Sequence, residues 1–171
     1  MIVPELAVDG EWPDADWQAL TERAAKAALS ASPQARLGET SARIEISVRL
    51  TSDDEVRTLN RQYRQQDKPT NVLSFPMVQP DLIEGLSNTD DGEVLLGDII
   101  LANETCAREA GERGVTLEAH ASHLIVHGVL HLLGHDHMND ADGEAMEAIE
   151  RAAMASLGLH DPYPIEDRPL Q

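Results

Sequence analysis

The stretch Leu117-Glu-Ala-His120-Ala-Ser-His123-Leu-Ile-Val-His127-Gly-Val-Leu-His131-Leu-Leu-Gly134-His-Asp-His137 is at once a buried helix, a turn and a candidate metal site. Leu117, Ala121, Leu124, Ile125, Gly128 and Leu132 fall on one helical stripe. His120, His123, His127 and His131 fall on another, within roughly 80° of arc at 100° per residue. His127 and His131, four residues apart, project from one face, about 40° apart around the axis. Gly134 can take the left-handed conformation that ends a helix, and the turn can bring His137 back toward the other two. Three neutral imidazoles with one open position describe a catalytic zinc site, because structural zinc is normally closed by four protein ligands. Six of the seven histidines lie between His120 and His137, and their order argues against a merely solvated, histidine-rich helix.

Working outward, the segments alternate between helix and strand. A helical pattern runs from about Asp14 to Ser30, with Trp17, Leu20, Ala24, Ala27 and Ala28 on one side. Residues 31–40, with Pro33 and Gly38, read as a connector. Ile44, Ile46, Val48 and Leu50 alternate with polar residues and predict a strand with one wet face. Ser52-Asp-Asp-Glu55 is a capping box, so a helix starts there, runs through Val56, Leu59 and Tyr63, and stops before Pro69. Asn71–Pro76 reads as a short strand and 79–93 as an exposed loop. Glu93–Leu101 is a near-continuous apolar run, hence an interior strand. Three helices follow, at about 102–112, 117–133 and 141–157. Thr116 and Asp140 are candidate N-caps for the last two, and Gly158 is a candidate stop. The expectation is an α+β fold, a small mixed sheet packed against several helices, with the metal site on a helix–turn in a cleft.

The 171 residues, 42% hydrophobic and 26% charged, suit one globular domain. No apolar run approaches a membrane span, and the first ten residues lack the basic segment and apolar run of a secretory signal. A cytoplasmic protein is expected. Cys106, the single cysteine, has no partner and is expected to be a small buried hydrophobe. A net charge of −18 opposes simple nucleic-acid binding, which draws on a basic surface. Among only 13 basic residues, however, Arg57, Arg61, Arg64 and Lys68 fall together as one candidate anion site. The plain alternative is a helix face with its charges in water.

An open three-histidine zinc site favours hydrolysis, because it acidifies a water and polarises a substrate oxygen. Two reactions compete. His-x-x-x-His-x-x-Gly-x-x-His matches metzincin peptidases, but those carry glutamate after the first histidine as general base, and here Gly128 stands there. Peptide hydrolysis remains a weak alternative. Phosphodiester hydrolysis needs a metal and a cation for the non-bridging oxygens. An arginine in the basic cluster suits the second part, through its planar fork of donors.

Three motifs, taken together, resemble the bacterial YbeY endoribonucleases. They are Leu59-Asn-Arg-Gln-Tyr-Arg64-Gln-Gln-Asp-Lys68-Pro-Thr-Asn71-Val-Leu-Ser74-Phe-Pro76, Leu96-Gly97-Asp98-Ile99, and His127 to His137. The likeness runs over about residues 45–163, outside residues 1–40 and the 79–93 loop. The resemblance implies a metal-dependent RNase for single-stranded RNA. It would act at the 3′ end of small-subunit ribosomal RNA and in RNA quality control. Carried over, His127, His131 and His137 would hold one zinc ion, and Arg64 would be the catalytic arginine on the scissile phosphate. The acidic balance then calls for a local groove, or for a ribosomal or GTPase partner, to supply affinity. A non-catalytic metal-binding assembly factor is the competing reading from another class.

Lesser candidates complete the expectation. Asp98 could orient a ligand histidine, or simply cap a strand end. His120 and His123 could act behind the ligands, although partly exposed helical histidines are more common. Asp136 could shuttle a proton or form the turn. Lys68 and Asp67 could shape the Arg64 site as an ion pair, and Met138, Met146 and Met154 read as core.

Overall fold

The computed structural model describes residues 1–83, 85–86, 92–136 and 139–164. Four strands form one mixed sheet: β1 (Ile2–Val8), β2 (Arg43–Thr51), β3 (Val72–Pro76) and β4 (Glu93–Ala102). Their order is β1-β2-β4-β3, with β1, β2 and β4 parallel and β3 antiparallel to β4. The six helices are α1 (Trp17–Ala31), α2 (Asp53–Arg64), α3 (Pro80–Ile83), α4 (Asn103–Arg113), α5 (Leu117–Leu132) and α6 (Asp140–Ser156). The α+β expectation therefore holds, and Glu93–Ala102 is an interior strand as its apolar run requires.

The alternation in β2 explains the layering. Ile44, Ile46, Val48 and Leu50 are buried on the face covered by α1 and α5, and each fully buried side chain contributes about 1.5–3 kcal/mol. Helix α6 lies against α1 and α5. On the opposite face α2 covers a smaller cluster of Val56, Leu73, Ile100 and Ala102. The two helix-bearing faces thus put α5 and α2 on opposite sides of β3 and β4. Among the described residues no helix is long and apolar enough to cross a membrane.

Three local readings need correction. Residues Ile2–Val8 form an edge strand that periodicity did not reveal, because Pro4 interrupts it; an edge tolerates proline, which lacks the ladder N–H. Within the 79–93 segment Pro80–Ile83 is a helical turn with Ile83 buried, while residues 84 and 87–91 lie outside the described residues. The cap of α6 is Asn139 rather than Asp140, since the Asn139 side chain accepts from Asp142 N at 2.9 Å. Thr116 caps α5 as expected, and Met146 and Met154 are core; Met138 lies outside the described residues. Cys106 is fully buried, and burial pushes its thiol pKa well up, so it packs rather than reacts.

Candidate active site

Helix α5 crosses the sheet closely because of one glycine. A Cβ on Gly128 would lie 2.9 Å from Cγ2 of Ile99, so the residue after His127 presses on β4. This settles the peptidase comparison on physical grounds. Position 128 faces the sheet, not the cleft, and cannot present a general base. With Gly128 turned inward, His127 and His131 lie on a flank of the helix, about 100° and 60° round from it. Their Nε2 atoms lie 3.0 Å apart. Two nitrogens about 2.0–2.1 Å from one tetrahedral zinc would be about 3.3 Å apart, so the pair fits a shared ion. His137, the third expected ligand, lies outside the described residues. Among the described residues alone, no three histidine, cysteine or carboxylate groups assemble into a metal site.

The turn after α5 behaves as its glycine requires. Gly134 has φ +98°, its N–H bonds to His131 O at 3.0 Å, and His135 N bonds to Leu130 O at 3.0 Å. That is a Schellman ending, which satisfies the last carbonyls of the helix and sends the chain back over its own end. His135 then bonds Oε1 of Gln34 at 2.8 Å, and burial lowers its pKa.

Arg64 arrives from the other side of the sheet. Helix α2 begins at the Ser52 cap, whose hydroxyl accepts from Glu55 N at 3.2 Å, while the Glu55 carboxylate reaches Arg49 at 3.5 Å. Its start is clipped to α4: Asp53 accepts from Thr105 N and Oγ1 at 3.0 and 2.7 Å, and Glu104 accepts from Asp53 N at 2.7 Å. At the far end Arg57 grips Asp67 through two bonds of 2.8 and 3.1 Å, and Asn60 donates to Lys68 O at 2.8 Å. The ion pair of this loop is therefore Arg57–Asp67, not Lys68–Asp67. The basic cluster divides: Arg57 is a structural clip, and Arg64 reaches past the strand end. Arg64 donates to Ser74 O at 2.9 Å and holds its guanidinium carbon 5.6 Å from the Phe75 ring centroid.

These parts meet in one cleft of about 370 Å³. Arg64, Ser74, His127, His131, His135 and Asp136 supply its polar wall; Val72, Pro76, Val78 and Pro80 supply the apolar one. The structure thus brings together Arg64, His127 and His131, as well as Asp136. It separates Asp98 from them. Gly97 and Ile99 face α5, so the pleat turns Asp98 to the α2 face, where its register partner Phe75 also lies. Asp98 therefore points away from the helix that carries His127 and His131.

A carboxylate that reaches His127 is Glu150 of α6, which sequence reasoning missed. It is fully buried, and its Oε1 lies 3.0 Å from His127 Nδ1 and 2.9 Å from His123 Nε2. Tyr163 donates to the same carboxylate, 3.1 Å from each oxygen. Burial alone would raise the carboxyl pKa, but the bonds from His123 and His127 outweigh it and hold Glu150 down at about 2. The available signal was a glutamate on the buried stripe of Met146, Ala153 and Met154. One turn earlier His120 Nε2 lies 2.8 Å from Glu109, which also accepts from Asn71 at 2.9 Å. His120 and His123 are therefore buried and carboxylate-paired, contrary to the partly exposed expectation.

Residues 9–158 match the family model described as endoribonuclease YbeY. The chain belongs to that family. The endoribonuclease YbeY of Rhizorhabdus wittichii is 60% identical over 166 residues, covering 95% of this chain and 98% of the relative. That of Sphingopyxis alaskensis is 58% identical, covering 98% of this chain and 100% of the relative. The solution structure of TM1509 from Thermotoga maritima is similar at a TM-score of 0.54 and 25% identity, covering 98% of this chain and 97% of that one. The YbeY likeness thus reaches N-terminal to the span of about 45–163 carried by the three motifs, and takes in α1.

Proposed function

We propose that this member of the YbeY family is a zinc-dependent endoribonuclease, one domain over residues 1–171, that cuts single-stranded RNA. Its substrate is the 3′ end of small-subunit ribosomal RNA, in ribosome maturation and quality control. It works in the cytoplasm, apart from membrane and DNA, with the small subunit and a ribosome-associated GTPase as partners. The observation that carries the reading is the single cleft lined by Arg64 and by the two imidazoles whose Nε2 atoms lie 3.0 Å apart.

In this reading His127, His131 and His137 hold one zinc ion. When bound, the ion supplies Lewis acidity toward a phosphodiester oxygen and makes a water more acidic. The other steps belong to the chain. Arg64 receives the scissile phosphate and neutralises charge that grows on its non-bridging oxygens. A guanidinium carries five donors, so a phosphate can be gripped while the Ser74 bond is kept. The Phe75 ring beneath the guanidinium restrains the side chain and reduces the ordering cost on substrate binding. The apolar wall excludes water and strengthens the charge interactions inside. Local charge in the cleft, rather than the net charge of −18, then governs RNA contact.

The test is cleavage of a labelled single-stranded fragment from the 3′ end of small-subunit ribosomal RNA, with metal content quantified. Wild type should cut, and Arg64→Ala at equal zinc occupancy should cut on the order of 10²–10³-fold more slowly. Equal cleavage by both would remove Arg64 from the reaction and point to a contaminating RNase. No cleavage by zinc-loaded wild type would overturn the nuclease reading in favour of a docking factor.

A further inference from the structure

The α5 histidines that open on the cleft are backed by a polar assembly built partly from the end of the described chain. Glu150 has no solvent exposure and receives three partners: His123, His127 and Tyr163. Tyr163 is not a loose contact. Arg151 donates to its carbonyl at 2.6 Å and to Asp161 at 3.2 Å, and Asp161 accepts from Tyr163 N at 2.8 Å. Arg113 of α4 donates to Pro162 O at 3.2 Å. The segment that follows α6 is thereby strapped back across the helices, with the Tyr163 ring 5.5 Å from that of His123 at 88°.

A carboxylate with no solvent exposure takes its hydrogen bonds from the groups packed around it. The donors here are two imidazoles and a phenol. Both ring contacts therefore place an N–H toward Glu150, and His127, if neutral, carries its proton on Nδ1. Its Nε2, which faces His131 Nε2 in the cleft, then carries no proton, the tautomer a metal ligand needs.

We propose that Glu150, braced by Tyr163, is the positioning carboxylate of the metal centre, and that the strapped 161–163 segment is a structural part of that centre. Glu150 fixes the tautomer and ring angle of His127; Tyr163 and His123 fix Glu150. The proposal rests on the metal reading of His127 and His131 but not on RNA cleavage.

The experiment is zinc affinity, by competition against a chromophoric chelator, for wild type, Glu150→Gln and Tyr163→Phe, with thermal unfolding of each metal-free protein alongside. Glu150→Gln should bind zinc about 10–100-fold more weakly, the cost typical of losing such a partner. Tyr163→Phe should shift affinity in the same direction by less. The cobalt-substituted variants should show altered ligand-field spectra, which a merely structural role would not move. Wild-type affinity in both variants would overturn the proposal, as would a loss confined to metal-free stability. If Glu150→Gln does not fold, Tyr163→Phe decides, and unaltered affinity there overturns it. A wild type that takes up no zinc overturns the metal reading and this proposal together; zinc uptake weakened by Glu150→Gln, with RNA left uncut, overturns the nuclease reading alone.

Discussion

The two halves of α5 carry the same residue type at nearly the same spacing and have different surroundings. In the first half, His120 and His123 are 1% and 5% exposed and each meets a buried or half-buried carboxylate. In the second half, His127 and His131 open on a cleft, with His127 20% exposed and the two Nε2 atoms converging. Helical periodicity puts all four on one stripe; what packs over the stripe separates them. Helices α4 and α6 cover the first half, and the second half lines the cleft together with Arg64. The lesson is that spacing nominates ligands and neighbours select among them.

The comparison is broken most sharply at the open end. His131→Ala should abolish zinc binding and RNA cleavage while the metal-free fold survives, as read by metal content and circular dichroism. Next, Arg64→Ala should keep zinc but lower kcat on the order of 10²–10³-fold, the effect of removing one donor to a developing oxyanion, read in single-turnover cleavage. Gly128→Ala tests why the two ends share one helix. The added Cβ, 2.9 Å from Ile99, should cost about 1–3 kcal/mol in denaturant unfolding.

Within the buried end, His120 should answer to pH rather than to metal. Burial lowers the His120 pKa, with Glu109 opposing that shift only in part. Below about pH 6.5 the unfolded chain therefore takes up a proton that the native state resists. Stability should be full above that pH and fall as pH drops through it. His120→Gln should flatten that slope by no more than about 1.4 kcal/mol per pH unit, the limit for one proton, and leave zinc affinity unchanged. The smallest effect is expected at Gln65, which ends α2 at φ +57°, a left-handed position. Gln65→Gly should relieve roughly 1 kcal/mol of strain, less the entropy glycine loses, seen as a small rise in melting temperature.

Much of the fold was legible because it rests on local rules. The helix start at the Ser52 cap, the alternation through Ile44–Leu50 and the apolar run of Glu93–Leu101 each read correctly, since each is written in adjacent residues, although Glu55 turns to Arg49 rather than completing a capping box. The Pro4-interrupted edge strand was not legible: its pairing with β2 comes from a segment about 40 residues away. The site divides the same way. His127, His131 and Gly134 were legible as one helix and its turn. Arg64 was named from a motif, and only the sheet, with α2 behind it and α5 in front, brings it to the histidines.

By itself, then, the sequence determined which residues could bind a metal, which helix carries them and where that helix stops, because periodicity and glycine conformation are local. Only the tertiary structure decided which carboxylate serves His127. Asp98 lies in a recognised motif, yet the pleat of β4 turns it to the other face. Glu150, 23 residues beyond His127, reaches it because α6 folds back against α5 and the 161–163 segment is tied to both. A buried carboxylate persists where donors converge on it, and that convergence is a property of packing.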